Sequence, residues 1–129
     1  MPSSGYGPNN GPSGVHDDVT SSFKFVKLNS SNYNLWSEYM KASLQAKYLW
    51  LIVSGDEEAP SKPLKEKPES TSGPDWKNLK KEYWDWLLKD QAAQGLLKGS
   101  AESTQWAHLG KADTSMAMWN AWEELYITM

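Results

Sequence analysis

Apolar and aromatic residues recur every three or four positions after Leu28: Tyr33, Trp36, Met40 and Leu44 form one stripe. That is the spacing of a helix with a single buried face. Asn29, Ser30, Ser31 and Asn32 precede it as a turn, and the side chain of Asn32 or Ser31 is expected to accept a hydrogen bond from the first turn. The pattern predicts a helix from Asn32 to Lys47. The dense apolar knot Tyr48 to Val53, which includes Trp50, Leu51 and Ile52, predicts a further turn or short helix. It should end at Ser54 and Gly55, where glycine can take the left-handed cap. One turn cannot hide that much apolar surface, so the rest of the chain is expected to cover it.

Upstream, Phe23 to Leu28 (FKFVKL) alternates in character and reads as an extended arm packed on helices, since a lone strand makes no sheet. Residues 1–22 are rich in Gly, Pro, Ser and Asn with almost nothing to bury, which predicts a disordered tail. Downstream, residues 54–74 hold four prolines and charges of both signs. They read as a long mobile linker or solvated insertion.

Asp75 is expected to cap the longest helix, which runs to about Lys98 and stops at Gly99. On a helical wheel Trp76, Leu79, Tyr83, Trp86, Leu87, Asp90, Gln94 and Leu97 gather on one face, taken as the core side. Trp84 and Leu88, joined by Gly95, form a second and narrower stripe that needs a second partner. Ala101 to Leu109 predicts a short helix around Trp106 and Leu109, broken at Gly110. Asp113 or Thr114 is expected to cap a last helix with Met118, Trp119, Trp122, Leu125, Tyr126 and Met129 on one face and Glu123 and Glu124 turned outward. The apolar pattern reaches Met129 without a stop signal, so the chain is expected to be part of a longer one. Together these elements predict an all-α fold: one small orthogonal bundle of about five helices over residues 23–129.

Composition narrows the chemistry. The formal net charge is −3 and arginine is absent, so the planar fork that reads phosphates and guanines is missing and specific nucleic-acid binding is not expected. There is no cysteine, hence no disulfide, thiol nucleophile or cysteine-based zinc site. His16 and His108 stand in no ligand-spaced motif. The adjacent carboxylates Asp17 with Asp18, Asp56 with Glu57 and Glu58, and Glu123 with Glu124 lie where no burial would raise a pKa for acid catalysis. We therefore expect no enzyme, no cofactor and no metal. No run is long enough to span a bilayer and no signal segment opens the chain, which makes a cytoplasmic location the default expectation.

Eight tryptophans in 129 residues are the compositional oddity. Trp36, Trp76, Trp86 and Trp119 lie on the main stripes and are read as core. Trp84, Trp106 and Trp122 are less settled between core, stacking platform and interface, and Trp84 with Leu88 is ranked as interface. Lys77, Lys80 and Lys81 are the nearest this chain comes to the basic interleaving of a single-strand stacking platform. Asp90, the one charge on an apolar face, is expected to receive hydrogen bonds from a neighbouring helix terminus or a tryptophan N–H, or to pair with a lysine such as Lys47.

These residues carry a likeness. LNSSNYNLW, followed by Met40, Leu44, Leu49, Trp50 and Val53, resembles the opening of Gag from Copia-type LTR retrotransposons, which reads L-N-G-S-N-Y-x-x-W and continues to L-W and an apolar end. Trp86, Asp90, Ala93 and Leu97 are similar to that family's W-x-x-x-D-x-x-A helix. Thr114, Trp119, Leu125 and Tyr126 are similar to its T-A-x-x-x-W-x-x-L-x-x-L-Y helix. The likeness covers about Phe23 to Tyr126. The chain departs from it at Ser30, where glycine is usual, at Trp122, where leucine is common, and in the long segment 54–74.

The resemblance implies the N-terminal lobe of a capsid protein, an all-helical domain that packs against copies of itself in a virus-like particle. It implies a signature core of Leu28, Tyr33, Trp36, Met40, Leu44, Trp50, Trp86, Asp90, Trp119 and Tyr126, with Trp84, Leu88, Trp106 and Trp122 as candidate interface. The family's zinc knuckle for RNA is absent here, so RNA binding does not carry over. The expected partner is the protein itself. The rival expectation is a host-recruited adaptor that binds a host protein or peptide in an aromatic-lined groove, and a weaker one is a single-strand nucleic-acid binder.

Overall fold

A computed structural model describes residues 26–127. The expected tail, Phe23 to Phe25 of the arm, and Met129 lie outside the described residues. The described residues fold as an all-α bundle of five α-helices: α1 (Tyr33–Ala46), α2 (Trp50–Ser54), α3 (Gly73–Gly99), α4 (Ser103–Trp106) and α5 (Ser115–Ile127). A 3₁₀ turn, Ala107–Leu109, extends α4 up to Gly110, as the sequence led us to expect. Of the arm's described residues, Val26 and Lys27 are exposed and Leu28 is buried, held through its backbone to the link between α3 and α4. Leu28 donates its N–H to the Ser100 carbonyl and accepts from the Glu102 N–H, at 2.9 and 3.0 Å, forming an isolated parallel bridge opposite Ala101.

The helix ends differ from expectation in instructive ways. Asn32 stands at the N-cap of α1 but makes no side-chain capping bond. Its amide instead ties the turn together, accepting from the Asn29 N–H and donating to the Lys27 carbonyl. Ser31 likewise turns its hydroxyl to Asn29. Tyr48 is no part of α2: it adopts φ +61° between the helices and is 89% exposed, which frees α2 to turn against the bundle. Gly55 takes the left-handed cap at φ +90°. The helix α3 starts earlier than Asp75, because the Ser72 hydroxyl accepts from the Asp75 N–H with Pro74 in the first turn. Asp75 then serves as a first-turn acid favoured by the helix dipole. Of the two candidates at α5, Thr114 is the cap, accepting from the Ala117 N–H at 3.1 Å.

Between Gly55 and Ser72 the backbone is irregular. Its first turn is fastened by the Glu57 N–H to the Leu51 carbonyl and by an ion pair between Glu57 and Lys89 of 2.7 Å.

The core is an aromatic chain that joins α1, α2 and α5. Trp36 stacks on Trp119 with ring centroids 5.6 Å apart and meets Trp122 edge-on at 5.4 Å. Trp50 meets the other side of Trp119 edge-on, and Tyr33 stacks on Tyr126. Such pairs add about 0.5–1.5 kcal/mol each beyond the area they bury. The polar edges are satisfied: Trp36 Nε1 donates to the Ser100 carbonyl and Trp122 Nε1 to the Gln105 carbonyl. Trp122, expected among the interface residues, is therefore core and fully buried. The indole is accommodated there because Gln105, itself buried, supplies the acceptor.

One large departure bears on function. Of the face of α3 read as core, only Asp90 and Leu97 are buried, with Ala93 beside them; Trp76, Tyr83, Trp86 and Leu87 are half-buried and Leu79 is exposed. The cause is length. At 27 residues α3 spans about 40 Å, twice the reach of α1 with 14 residues and α5 with 13. Its N-terminal half runs past the elements that would cover it.

Candidate functional site

The overhang of α3 sorts its side chains by chemistry. On the wheel, Lys77, Lys81, Trp84 and Leu88 share the face turned away from the core, with Lys80 at one edge of it and Asp85 at the other, whereas Asp75 and Glu82 fall elsewhere. Trp84 and Leu88, one turn apart, are 55% and 62% exposed. A Cβ added at Gly95 or Gly99 would meet nothing within 4 Å among the described residues, so this face stays open further along at those two positions. At its far end the Trp106 indole donates to the Lys98 carbonyl and lies 5.8 Å from the Lys98 ammonium, with 45% of its surface exposed. Three of the four expected interface residues thus stand on or beside one exposed basic and aromatic face. Lys80 lies over the Trp76 ring, and Lys81 pairs with Asp85 at 2.7 Å, which holds its amine above the usual value.

A second surface lies between α1 and α5, a groove of about 410 Å³ with Tyr33, Trp50 and Trp119 in its lining and Glu38 and Glu123 on its walls. The ammonium of Lys41 sits 5.1 Å from the centre of the Trp50 ring. Burial, reinforced by the negative charge of Glu123, pushes the Tyr33 hydroxyl up to about 12. Sequence reading placed Glu123 and Glu124 outward, as they are, without seeing that Glu123 walls a groove. Nothing in the spacing of α1 and α5 fixes which of their outward faces become neighbours.

Asp90 is structural in its geometry. Its Oδ1 accepts from the Ser115 N–H at 3.0 Å and the Ser115 hydroxyl at 2.6 Å, and its Oδ2 accepts from the Gln94 amide at 2.8 Å. Of the expected partners, the neighbouring helix terminus is the one found. Ser115 and Gln105 were missed in the sequence because single polar residues near helix starts look like ordinary caps. A smaller cleft of about 290 Å³ lies beside Asp90, lined by Gly55, Trp86 and Met116 among others. Trp86 Nε1 is buried with no hydrogen-bond partner.

Among the described residues no cluster of three His, Asp or Glu is placed to hold a metal ion, and no helix is long and apolar enough to cross a membrane. His108 is exposed, and His16, Asp17 and Asp18 lie outside the described residues. Glu57 is paired with Lys89, while Asp56 accepts from the Ser54 hydroxyl. No protein-family model, curated protein or solved structure matches this chain. What it does must be argued from its surfaces.

Proposed function

We propose that this chain is a non-catalytic structural domain that associates with copies of itself, as the N-terminal capsid lobe of a Copia-type Gag does in a cytoplasmic virus-like particle. The carrying observation is the exposure of Trp84 and Leu88 on a helix that overreaches its own bundle. A small domain gains nothing in stability from keeping a tryptophan and a leucine in water one turn apart, and such patches mark contact surfaces. The resemblance points the same way; of the residues that carry it, Leu28, Tyr33, Trp36, Met40, Leu44 and Trp119 are buried, and Trp50, Trp86 and Tyr126 half-buried. Asp90, also among them, ties two helices together.

The groove between α1 and α5 supports a second reading, an adaptor that takes a partner peptide against Tyr33, Trp50 and Trp119. The two readings part in solution. Self-association predicts a weight-average mass that rises with protein concentration in analytical ultracentrifugation. A mass that stays monomeric across the accessible range puts the adaptor first.

A further inference from the structure

The two surfaces are complementary. The outward face of α3 offers Lys77 and the Asp85-paired Lys81 beside Trp84 and Leu88, with Lys80 at its edge over Trp76, and none of the three lines the α1/α5 groove of its own chain. That groove offers Glu38 and Glu123 beside tryptophan and tyrosine rings. Neither glutamate is held in an ion pair among the described residues. Lys41 shows that the groove tolerates an ammonium against Trp50, where the ring face attracts a cation.

We propose that the lysine-bearing face of α3 docks into the acidic, aromatic groove between α1 and α5 of a second copy. Lys77, Lys80 and Lys81 face Glu38 and Glu123, and Trp84 and Leu88 cover the apolar part of the contact. This rests on the self-association reading and deepens it. The two patches are different, so the contact is heterologous: each copy gives its helix to one neighbour and its groove to another. Such contacts build rings or open chains, whereas a two-fold contact stops at a dimer. The same lysine-and-tryptophan face could meet single-stranded nucleic acid, but a net charge of −3 without arginine favours the chain's own acidic surface.

The test is charge reversal with complementation. The Glu38→Lys/Glu123→Lys variant and the Lys77→Glu/Lys80→Glu/Lys81→Glu variant should each associate at least about tenfold more weakly than wild type. An equimolar mixture should recover association, because every helix again meets a groove of opposite charge. All five side chains are exposed, and far-UV circular dichroism checks that each variant folds. Wild-type association should also weaken as salt rises, which needs no variant. A wild type that stays monomeric removes the self-association reading itself. A wild type that associates independently of salt, with reversal variants that associate equally well, overturns this contact and leaves that reading standing. Normal association of the lysine variant, together with loss of wild-type binding to a labelled oligo-dT, assigns the face to nucleic acid and also overturns the contact.

Discussion

The carboxylate of Asp90 holds the first residue of α5 in place: one oxygen accepts from both the backbone N–H and the hydroxyl of Ser115, with both residues buried. This single side chain fastens the long helix to the last one at the point where the overhang of α3 begins. Asp90→Ala leaves a buried N–H and hydroxyl without an acceptor and should cost about 2–4 kcal/mol. For a domain of this size that lowers Tm by about 10–20 °C. Ser115→Ala keeps the charged bond to the N–H and should cost less, about 1 kcal/mol. An unchanged melting temperature for Asp90→Ala would remove the helix-tying role.

Alkaline pH should expose the burial of Tyr33. Its hydroxyl is raised from 10.0 to about 12 in the folded chain, so the folded state holds a proton that the unfolded state releases. Stability from this group is intact below pH 10 and is lost as pH climbs from 10 toward 12. Tyr126, raised by burial against the opposing bond to Gln105, adds in the same direction. Tyr33→Phe should flatten this alkaline decline in thermal melts. An unaltered decline would mean that other groups govern it.

The overhang should be locally weak without weakening the whole. Removing the Ser72 cap by Ser72→Ala should cost the first turns of α3 about 1 kcal/mol. The missing burial along residues 73–89 confines that loss to the overhang. Amide hydrogen exchange should accelerate there while the global Tm stays within about 2 °C. A large drop in Tm would show that this half of the helix is covered after all.

Two left-handed residues should respond in opposite directions. Tyr48 pays the steric cost of φ +61° while burying little, so Tyr48→Asn should stabilise the fold by about 0.5–1 kcal/mol. At Gly55 a Cβ would meet φ +90° and stand 2.6 Å from the Met116 sulfur, and Gly55→Ala should destabilise by more than that. Thermal melts of the pair check both signs.

Most of the fold was legible in the sequence because periodicity reports burial wherever helices have neighbours. The stripe Tyr33, Trp36, Met40 and Leu44 is core for this reason, as are Trp119 and Met118. Periodicity failed on α3, where Trp76, Leu79 and Tyr83 continue the core stripe beyond the point at which the core ends. A wheel gives direction around a helix and says nothing of how far the neighbouring helices reach along it. Trp122 was misplaced for a related reason: an indole is buried only where an acceptor waits, and the Gln105 carbonyl that receives it lies on a different element. Of the proposed interaction surface, the exposed residues Trp84, Leu88 and Trp106 could be read from the sequence. The groove opposite could not, because Glu38 and Glu123 become neighbours only through the packing of α1 on α5.

Sedimentation of the Trp84→Ala/Leu88→Ala variant beside wild type, with helicity followed by far-UV circular dichroism, tests most directly whether α3 is a self-association surface. The exposed pair should be dispensable for folding, so the variant should keep wild-type helicity and remain monomeric at concentrations where the wild-type mass rises. A variant that associates as wild type does would contradict the proposed role of this helix. One that loses its helicity would show instead that the pair belongs to the core.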